Sequence, residues 1–367
     1  MRITSIEPIP VSIPYSHAGP LTGFGGSSWS KLTYLLVRVQ TEDGLVGWGE
    51  SFGYTVIPAT LAALQELVIP LAVGRDATHI VPLMEELQKT LHIFGRGGPT
   101  QFALSGLDMA LWDLAGKRSN CSIALLLGGR YRSEIAAYTS LLKLQHPDTI
   151  RKACEQACEA AFSAVKLHER TEQAVAAARE SLGSQVDLMV DVNCAWDLAE
   201  ALDMTSRLER YDLKWLEEPI WPPEDFLSLA RLRSQSEVRL AAGENLSNSW
   251  AFQPVIDASA VDFLQPSVTK VGGITEFMKI ANVAPFHGVR VAPHSPYFGP
   301  GLLATLQVAA ACPSICYVEC FGVKLQTPLF GSTGLPAQNG RIMIPDGPGL
   351  GADPDPDALA HLRTDRN

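Results

Sequence analysis

DLMVDVNCAWDLAEALDMTSRLERYDLKWLEEPIWPPEDFLSLARLRSQSEVRLAAGEN, residues 187–245, decides the fold. Three apolar runs within it, DLMVD, LKWLE and VRLAAGE, each end on an acidic residue: Asp191, Glu217 and Glu244. The acids are 26 and 27 residues apart, the length of one strand, one helix and two loops. That repeat predicts three carboxylates at the C-terminal ends of three successive parallel strands, where a barrel of alternating strands and helices gathers its chemistry. A single acid at a strand end commonly caps the next helix or is solvated; three in phase predict a shared site. Oxygen ligands with open positions suit magnesium, with manganese as the alternative. Zinc sites usually recruit histidine, and these three positions are all carboxylates.

Outward from this stretch the alternation continues. Predicted strands IAAYTS (135–140), AVKLH (164–168), VDFLQ (261–265), VRVAPH (289–294) and ICYVE (315–319) bring the total to eight, separated by helical stretches such as TEQAVAAARESL. Eight such strands predict a parallel α/β barrel of the TIM type. Before residue 131 the pattern differs. Strands are predicted over 2–14 and 33–50, with a turn at Asp43-Gly44, then helices over 58–72, 77–91 and 100–117, the last capped by Thr100. Strands followed by helices read as an α+β domain. Its Gly- and Ser-rich segment AGPLTGFGGSS, 18–28, reads either as a lid or as an ordinary surface loop. From about 340 a short apolar RIMIP precedes DGPGLGADPDPD, too polar and proline-rich for a barrel helix. The expected division is 1–125 for the first domain, 126–335 for the barrel and 336–367 for a tail packing back on the first domain.

The length of 367 residues suits a large domain with a smaller companion. A net charge of −10 with no basic run argues against nucleic acid and membrane surfaces as partners. The N-terminal MRITSIEPIPVSIPY alternates like a strand and lacks a signal-peptide core, and no stretch reads as long and apolar enough to cross a bilayer. The seven cysteines lack C-x-x-C spacing. Cys154 with Cys158, and Cys312 with Cys316 and Cys320, are expected to be small core residues in a reducing cytoplasm.

The strand ends carry further candidates. Lys166 and His168 alternate to the same side of their strand and so point into the barrel. A lysine there needs an anionic partner or a catalytic task, and a barrel-floor ion pair is the plainer alternative. His294 ends the seventh strand, almost across the ring. Glu319 ends the eighth, either as a protonated hydrogen-bond donor to substrate or as a salt-bridge partner. Bases on opposite sides of a divalent metal suit removal of a proton from the carbon next to a carboxylate, whose dianionic product needs a metal and hydrogen-bond donors.

The motifs GLVGWGES, ALSGLDMALWDLAGK, the Lys-x-His strand, DVN, WLEEP, GEN, QPSVTKVGGITE, APHSP and IPDGPGLG together resemble the enolase superfamily, and within it the mandelate racemase/muconate lactonizing group. The resemblance implies an N-terminal α+β capping domain over a modified (β/α)7β barrel, with magnesium on Asp191, Glu217 and Glu244. Family members often carry Lys-x-Lys on the second strand, the first lysine touching the substrate carboxylate and the second acting as base; here His168 takes the second place. Members like mandelate racemase pair an aspartate on strand six with the strand-seven histidine; here Ser267 falls in that place, which makes His294 a weaker base. These departures point to a one-base acid-sugar dehydratase, with a racemase, epimerase or lactone cycloisomerase as the alternative and a non-catalytic metal-binding barrel as a reading from another class. The expected partner is a small carboxylate substrate, and the expected assembly a homo-oligomer. Loops 18–28 and 50–56, with Tyr297 and Phe298, are the predicted specificity elements.

Overall fold

The computed structural model describes residues 1–23, 28–330 and 339–365. The predicted lid therefore lies partly outside the described residues, at 24–27, as does the start of the predicted tail, at 336–338. The chain opens with an antiparallel meander of β1 (Ile3–Ser16), β2 (Lys31–Thr41) and β3 (Val46–Ser51). The turn between β2 and β3 falls at Asp43-Gly44, with Gly44 at φ 82°. The pleat sends alternate residues of β2 to opposite faces. Leu35, Val37 and Val39 join the helices of this domain, while Leu32, Tyr34 and Leu36 join the main core toward the barrel. Helix Pro99–Arg118 lies directly on β3, and glycine makes this possible: a Cβ on Gly49 would stand 1.9 Å from the carbonyl oxygen of Gly106. Gly98 takes the N-cap of that helix, so Thr100, predicted as the cap, sits inside its first turn.

The membrane expectation meets one borderline run in this domain. Tyr54–Ala72 is a helical run of 19 residues with mean hydropathy 1.6, long and apolar enough by composition to cross a bilayer. Pro58, Gln65, Glu66 and Pro70 break up its apolar sequence. Its Ile57, Leu64, Val68 and Ala72 pack with Leu35, Val37 and Val39 in the domain's own core, the behaviour of an amphipathic core helix.

Eight parallel strands follow: β4 (Glu134–Ser140), β5 (Ala164–Leu167), β6 (Asp187–Asp191), β7 (Leu213–Glu217), β8 (Leu240–Ala242), β9 (Phe263–Leu264), β10 (Arg290–Val291) and β11 (Val318–Phe321). They run in chain order around the sheet, and β11 pairs with β4. A parallel bridge between Val291 and Ile315 joins the remaining edges. The last strands are shorter than the sequence predicts, which leaves Glu244 and His294 on the loops just beyond β8 and β10. Gly243 ends β8 at φ 125°, where a Cβ would meet the Phe252 ring at 2.8 Å. Inside the barrel, Tyr138, Ala164, Met189, Trp215, Ala241, Phe263 and Ala292 form an apolar floor. One pleat repeat above it stand Lys166, Asp191 and Glu217.

β12 (Lys324–Leu325) crosses back to pair with β1, and β13 (Arg341–Met343), within RIMIP, pairs antiparallel with β4 on the barrel. The chain after it also reaches the first domain: Leu350 N donates to Asp113 at 2.8 Å and Thr364 N to the Pro10 carbonyl at 3.0 Å. None of the seven cysteines forms a disulfide; Cys154 and Cys312 are buried as expected, but Cys158 is exposed.

Candidate active site

Asp191, Glu217 and Glu244 each offer an oxygen, and these oxygens all lie within 4.8 Å of one another. Asp191 Oδ1 accepts from Asn193 N at 2.8 Å, whereas buried Asp191 Oδ2 has no hydrogen bond of good geometry. Glu217 Oε2 accepts from Trp215 Nε1 of the floor at 2.9 Å. Burial works against the charge on Asp191, yet His168, Lys166 and the Asn193 amide outweigh it and hold this carboxyl below its usual range. Glu217 goes the other way, pushed up by burial and by its carboxylate neighbours despite Lys166. Glu218 is also pushed well up, by burial and by Glu244, Asp191 and Glu217. Asn245 Nδ2 donates to both of its oxygens, at 3.1 and 3.2 Å. Two ammonium groups, Lys166 and Lys270, are too few to neutralise Asp191, Glu217, Glu218, Glu244 and Glu319. A divalent cation fits the donor set and would supply the missing charge.

Lys166 is fully buried, with Nζ 2.7 Å from Glu217, 3.1 Å from Glu319 and 3.6 Å from Asp191. Burial alone would lower its pKa, but the carboxylates raise it well above the ordinary value, so it stands as a locked ammonium. It contributes no wall to the open cavity, which is the ion-pair alternative for this residue. Glu319 likewise stays ionised: Lys166 and His294 outweigh its burial, and Oε2 accepts from Ser295 N at 3.0 Å. It is an acceptor and ion-pair partner, not a protonated donor.

The two histidines both face the cavity. His168 Nδ1 lies 2.6 Å from the Leu141 carbonyl. A carbonyl only accepts, so Nδ1 carries a hydrogen, and Nε2 is the nitrogen through which the ring gains or loses its second proton. That Nε2 is 3.3 Å from Asp191 Oδ2. Burial opposes charge on the ring, but the Asp191 carboxylate beside it prevails and raises its pKa above the ordinary value. His294 is the reverse: burial and then Lys270 pull it down to about 3. Its Nε2 is 3.2 Å from Glu244 Oε2 and its Nδ1 3.5 Å from the Tyr297 hydroxyl. Ser267 does not bond the ring; its hydroxyl lies 2.5 Å from that of Tyr297, which stands between them.

The cavity above these groups holds about 470 Å³. The first domain supplies Phe52 and Tyr54, from the predicted 50–56 loop, and Phe102, which sequence reasoning missed; Trp221 after β7 and Phe321 of β11 complete an aromatic wall. Tyr297 and Phe298, expected to line the pocket, are buried beside it. Lys270 was also missed. Its Nζ sits 3.3 Å from Asn245 Oδ1 and 4.4 Å from the Phe52 ring centre, making it the ammonium group that borders the cavity. Asn193, Glu218 and Asn245 border it as well. The available signal was position: each polar residue lies one or two places after one of the three acids, in DVN, LEEP and GEN.

Residues 17–128 match the mandelate racemase / muconate lactonizing enzyme N-terminal domain, and 149–358 match the enolase C-terminal domain-like family. The chain is 34% identical over 325 residues to arabinonate dehydratase of Saccharolobus solfataricus, covering 86% of each protein. It is 33% identical over 357 residues to D-galactarolactone cycloisomerase of Agrobacterium fabrum, covering 91% of this chain and 92% of that one. Among solved structures, a racemase from Streptomyces coelicolor with bound magnesium superposes with a TM-score of 0.87 at 26% identity, covering 99% of this chain and 100% of the other.

Proposed function

The chain belongs to the mandelate racemase/muconate lactonizing group of the enolase superfamily, and on that premise we propose that it is a magnesium-dependent acid-sugar dehydratase. The observation that carries this reading is the inequality of the two histidines. His168 is the base: its Nδ1–H is committed to Leu141, and Asp191 Oδ2, 3.3 Å from Nε2, raises its affinity for a proton. His294 also faces a carboxylate with Nε2, but burial and then Lys270 lower its affinity for a proton, which makes it the weaker base and, once charged, the readier donor. A base on one side and a donor on the other suit elimination better than racemisation, which asks for two bases.

Asp191, Glu217 and Glu244 would hold the magnesium ion, which when bound supplies positive charge against the negative charge that develops on the substrate carboxylate. Lys270 binds that carboxylate from the cavity wall. His168 Nε2 takes the proton from the neighbouring carbon. Covering Lys270 with an anion removes one of the three causes that keep His294 neutral, burial and Lys166 being the others, and the ring once charged gives its Nε2 proton to the departing β-hydroxyl. The carbon–oxygen bond breaks and water leaves. The enol that remains gains a proton at the former hydroxyl carbon and loses one from its oxygen, giving a 2-keto-3-deoxy acid. His168 then gives up its proton and His294 regains one, so the protons balance. Lys166 and Glu319 keep the carboxylate cluster in place beneath.

A second reading, lactone or anhydro-sugar cycloisomerisation, is favoured by the aromatic wall of Phe52, Tyr54, Phe102, Trp221 and Phe321. Such a wall suits the faces of a ring, and the first step is the same. A screen of sugar acids and lactones with magnesium, read by product mass, tests both. Loss of one water supports the dehydratase, an isomer of unchanged mass supports the cycloisomerase, and no turnover with any α-hydroxy acid or lactone overturns the proposal. The same reading divides the chain near residues 125 and 335. It expects the enzyme in the cytoplasm, where seven cysteines without disulfides are at home, and as a homo-oligomer.

A further inference from the structure

The charged groups that border the cavity belong to the carboxylate cluster at its base. Lys270 reaches Glu244 at 3.9 Å, and the two histidines face Asp191 and Glu244. Glu218, Glu244 and Glu319 line the same space, so three carboxylates border the cavity beside one ammonium. The rest of the wall is largely aromatic. Phe52, Tyr54 and Phe102 come from the first domain as one cluster, the Phe52 ring centre lying 5.2 Å from that of Tyr54 and 4.9 Å from that of Phe102. Trp221, 68% exposed, follows β7, and Phe321 lies on β11, each two strands around the ring from β9 and the loop that carries Lys270. The two internal segments outside the described residues, 24–27 and 331–338, contain no lysine, arginine or histidine.

A sugar acid carries a carboxylate at one end or at both. The first carboxylate takes Lys270 and the base of the cavity. A second, at the far end of the chain, would meet either aromatic faces, which present the negative side of the ring quadrupole, or the carboxylates of Glu218 and Glu319. Neither partners an anion, and an anion drawn out of water without a partner is costly. A hydroxymethyl end or a lactone ring meets no such penalty. Its C–H faces lie against the rings, and the Tyr54 phenol, which burial keeps protonated, suits a substrate hydroxyl. We propose that the site selects acids with a single carboxylate, aldonic acids and their lactones, over aldaric acids of the same configuration. The selectivity comes from a cavity that offers one ammonium at its base and, among the described residues, only neutral aromatic groups on its upper wall. This inference rests on the acid-sugar reading of the site and narrows it.

The test compares matched acids on the magnesium-loaded protein, across a panel of sugar configurations. Each set holds an aldonate, the aldarate that differs only in its second carboxylate, and that aldarate amidated at the second end, which keeps the shape without the charge. Calorimetry gives Kd for every acid, and kcat/KM is added for those turned over. The aldarate is expected to bind about ten- to a hundredfold more weakly than its aldonate, the scale of a charged group left without a partner, and the monoamide to recover most of the loss. Trp221→Lys, at an exposed side chain, sets an ammonium on the wall and should narrow the gap about tenfold. An aldarate bound as tightly as its aldonate overturns the inference and leaves the proton-abstraction reading standing. A monoamide as weak as the aldarate, or an unchanged gap in Trp221→Lys, overturns its electrostatic basis. Binding of no acid in the panel overturns the acid-sugar reading itself, and the inference with it.

Discussion

Replacing Glu217 by glutamine removes one charge from the carboxylate cluster at almost constant volume. In the metal-free protein the change should be mild. Burial and the surrounding carboxylates already favour the neutral form of this residue, the amide oxygen can still accept from Lys166, and Glu319 and Asp191 remain as ion-pair partners at 3.1 and 3.6 Å. With metal the outcome reverses. A unit charge pair at 4 Å is worth about 4 kcal/mol at an effective dielectric constant of 20, and a divalent ion held by an oxygen ligand feels at least that much. Magnesium affinity should therefore fall about a thousandfold or more. Calorimetric titration reads this directly. A melting series adds a control, since saturation at a hundred times Kd stabilises the wild type by about 2.7 kcal/mol and the variant should show no such gain. Equal magnesium affinity in the two proteins, with turnover intact, would refute the assignment of the metal site.

Three further outcomes follow from the same geometry. His168→Asn should abolish exchange of the substrate α-proton with deuterated solvent, whereas His294→Asn should keep exchange and lose product; the reverse pattern, read by NMR of recovered substrate, would exchange their roles. Lys270→Ala should raise KM by an order of magnitude or more through loss of a charged partner for the carboxylate, about 1.5–3 kcal/mol, and a steady-state assay showing KM unchanged would place the carboxylate elsewhere. Glu50, buried where its Oε2 accepts from Gly301 N at 2.9 Å, is pushed up to about 7 by burial. A carboxyl raised in the folded state binds more protons folded than unfolded, so its penalty is absent below its unfolded pKa, grows as pH rises and is complete above about 7. Glu50→Gln, which keeps an acceptor for Gly301, should thus stabilise the protein at pH 8, by about 3 kcal/mol at most, and match the wild type near pH 4; a variant no more stable at pH 8 would contradict this.

The parts of this site that were legible in the sequence are those set by local periodicity. The spacing of Asp191, Glu217 and Glu244 reports the strand–helix repeat, and the alternation of Lys166 and His168 reports the pleat, so both survive in three dimensions. What periodicity does not encode is which side chains meet when the ring closes. Lys166 is sealed by residues from β6, β7 and β11, three strands distant in sequence. Ser267, expected beside His294, does not bond the ring, because Tyr297 turns inward between them and changes what Ser267 can do. The cavity walls were partly missed for the same reason: Phe102 comes from a helix of the first domain and Lys270 from a loop after β9, and only packing of the two domains brings them together. Thr100 lost its predicted capping role to Gly98, whose positive φ starts the helix one residue earlier.

The central claim is that this chain removes a proton from the carbon next to a carboxylate. It is tested most directly by incubating the magnesium-loaded protein with sugar acids and lactones in deuterated water and following the α-position by NMR. The account expects loss of the α-proton signal, or its replacement by deuterium, with at least one acid, in step with release of water to give a keto acid and absent in His168→Asn. Turnover of an acid with its α-proton fully retained would contradict it.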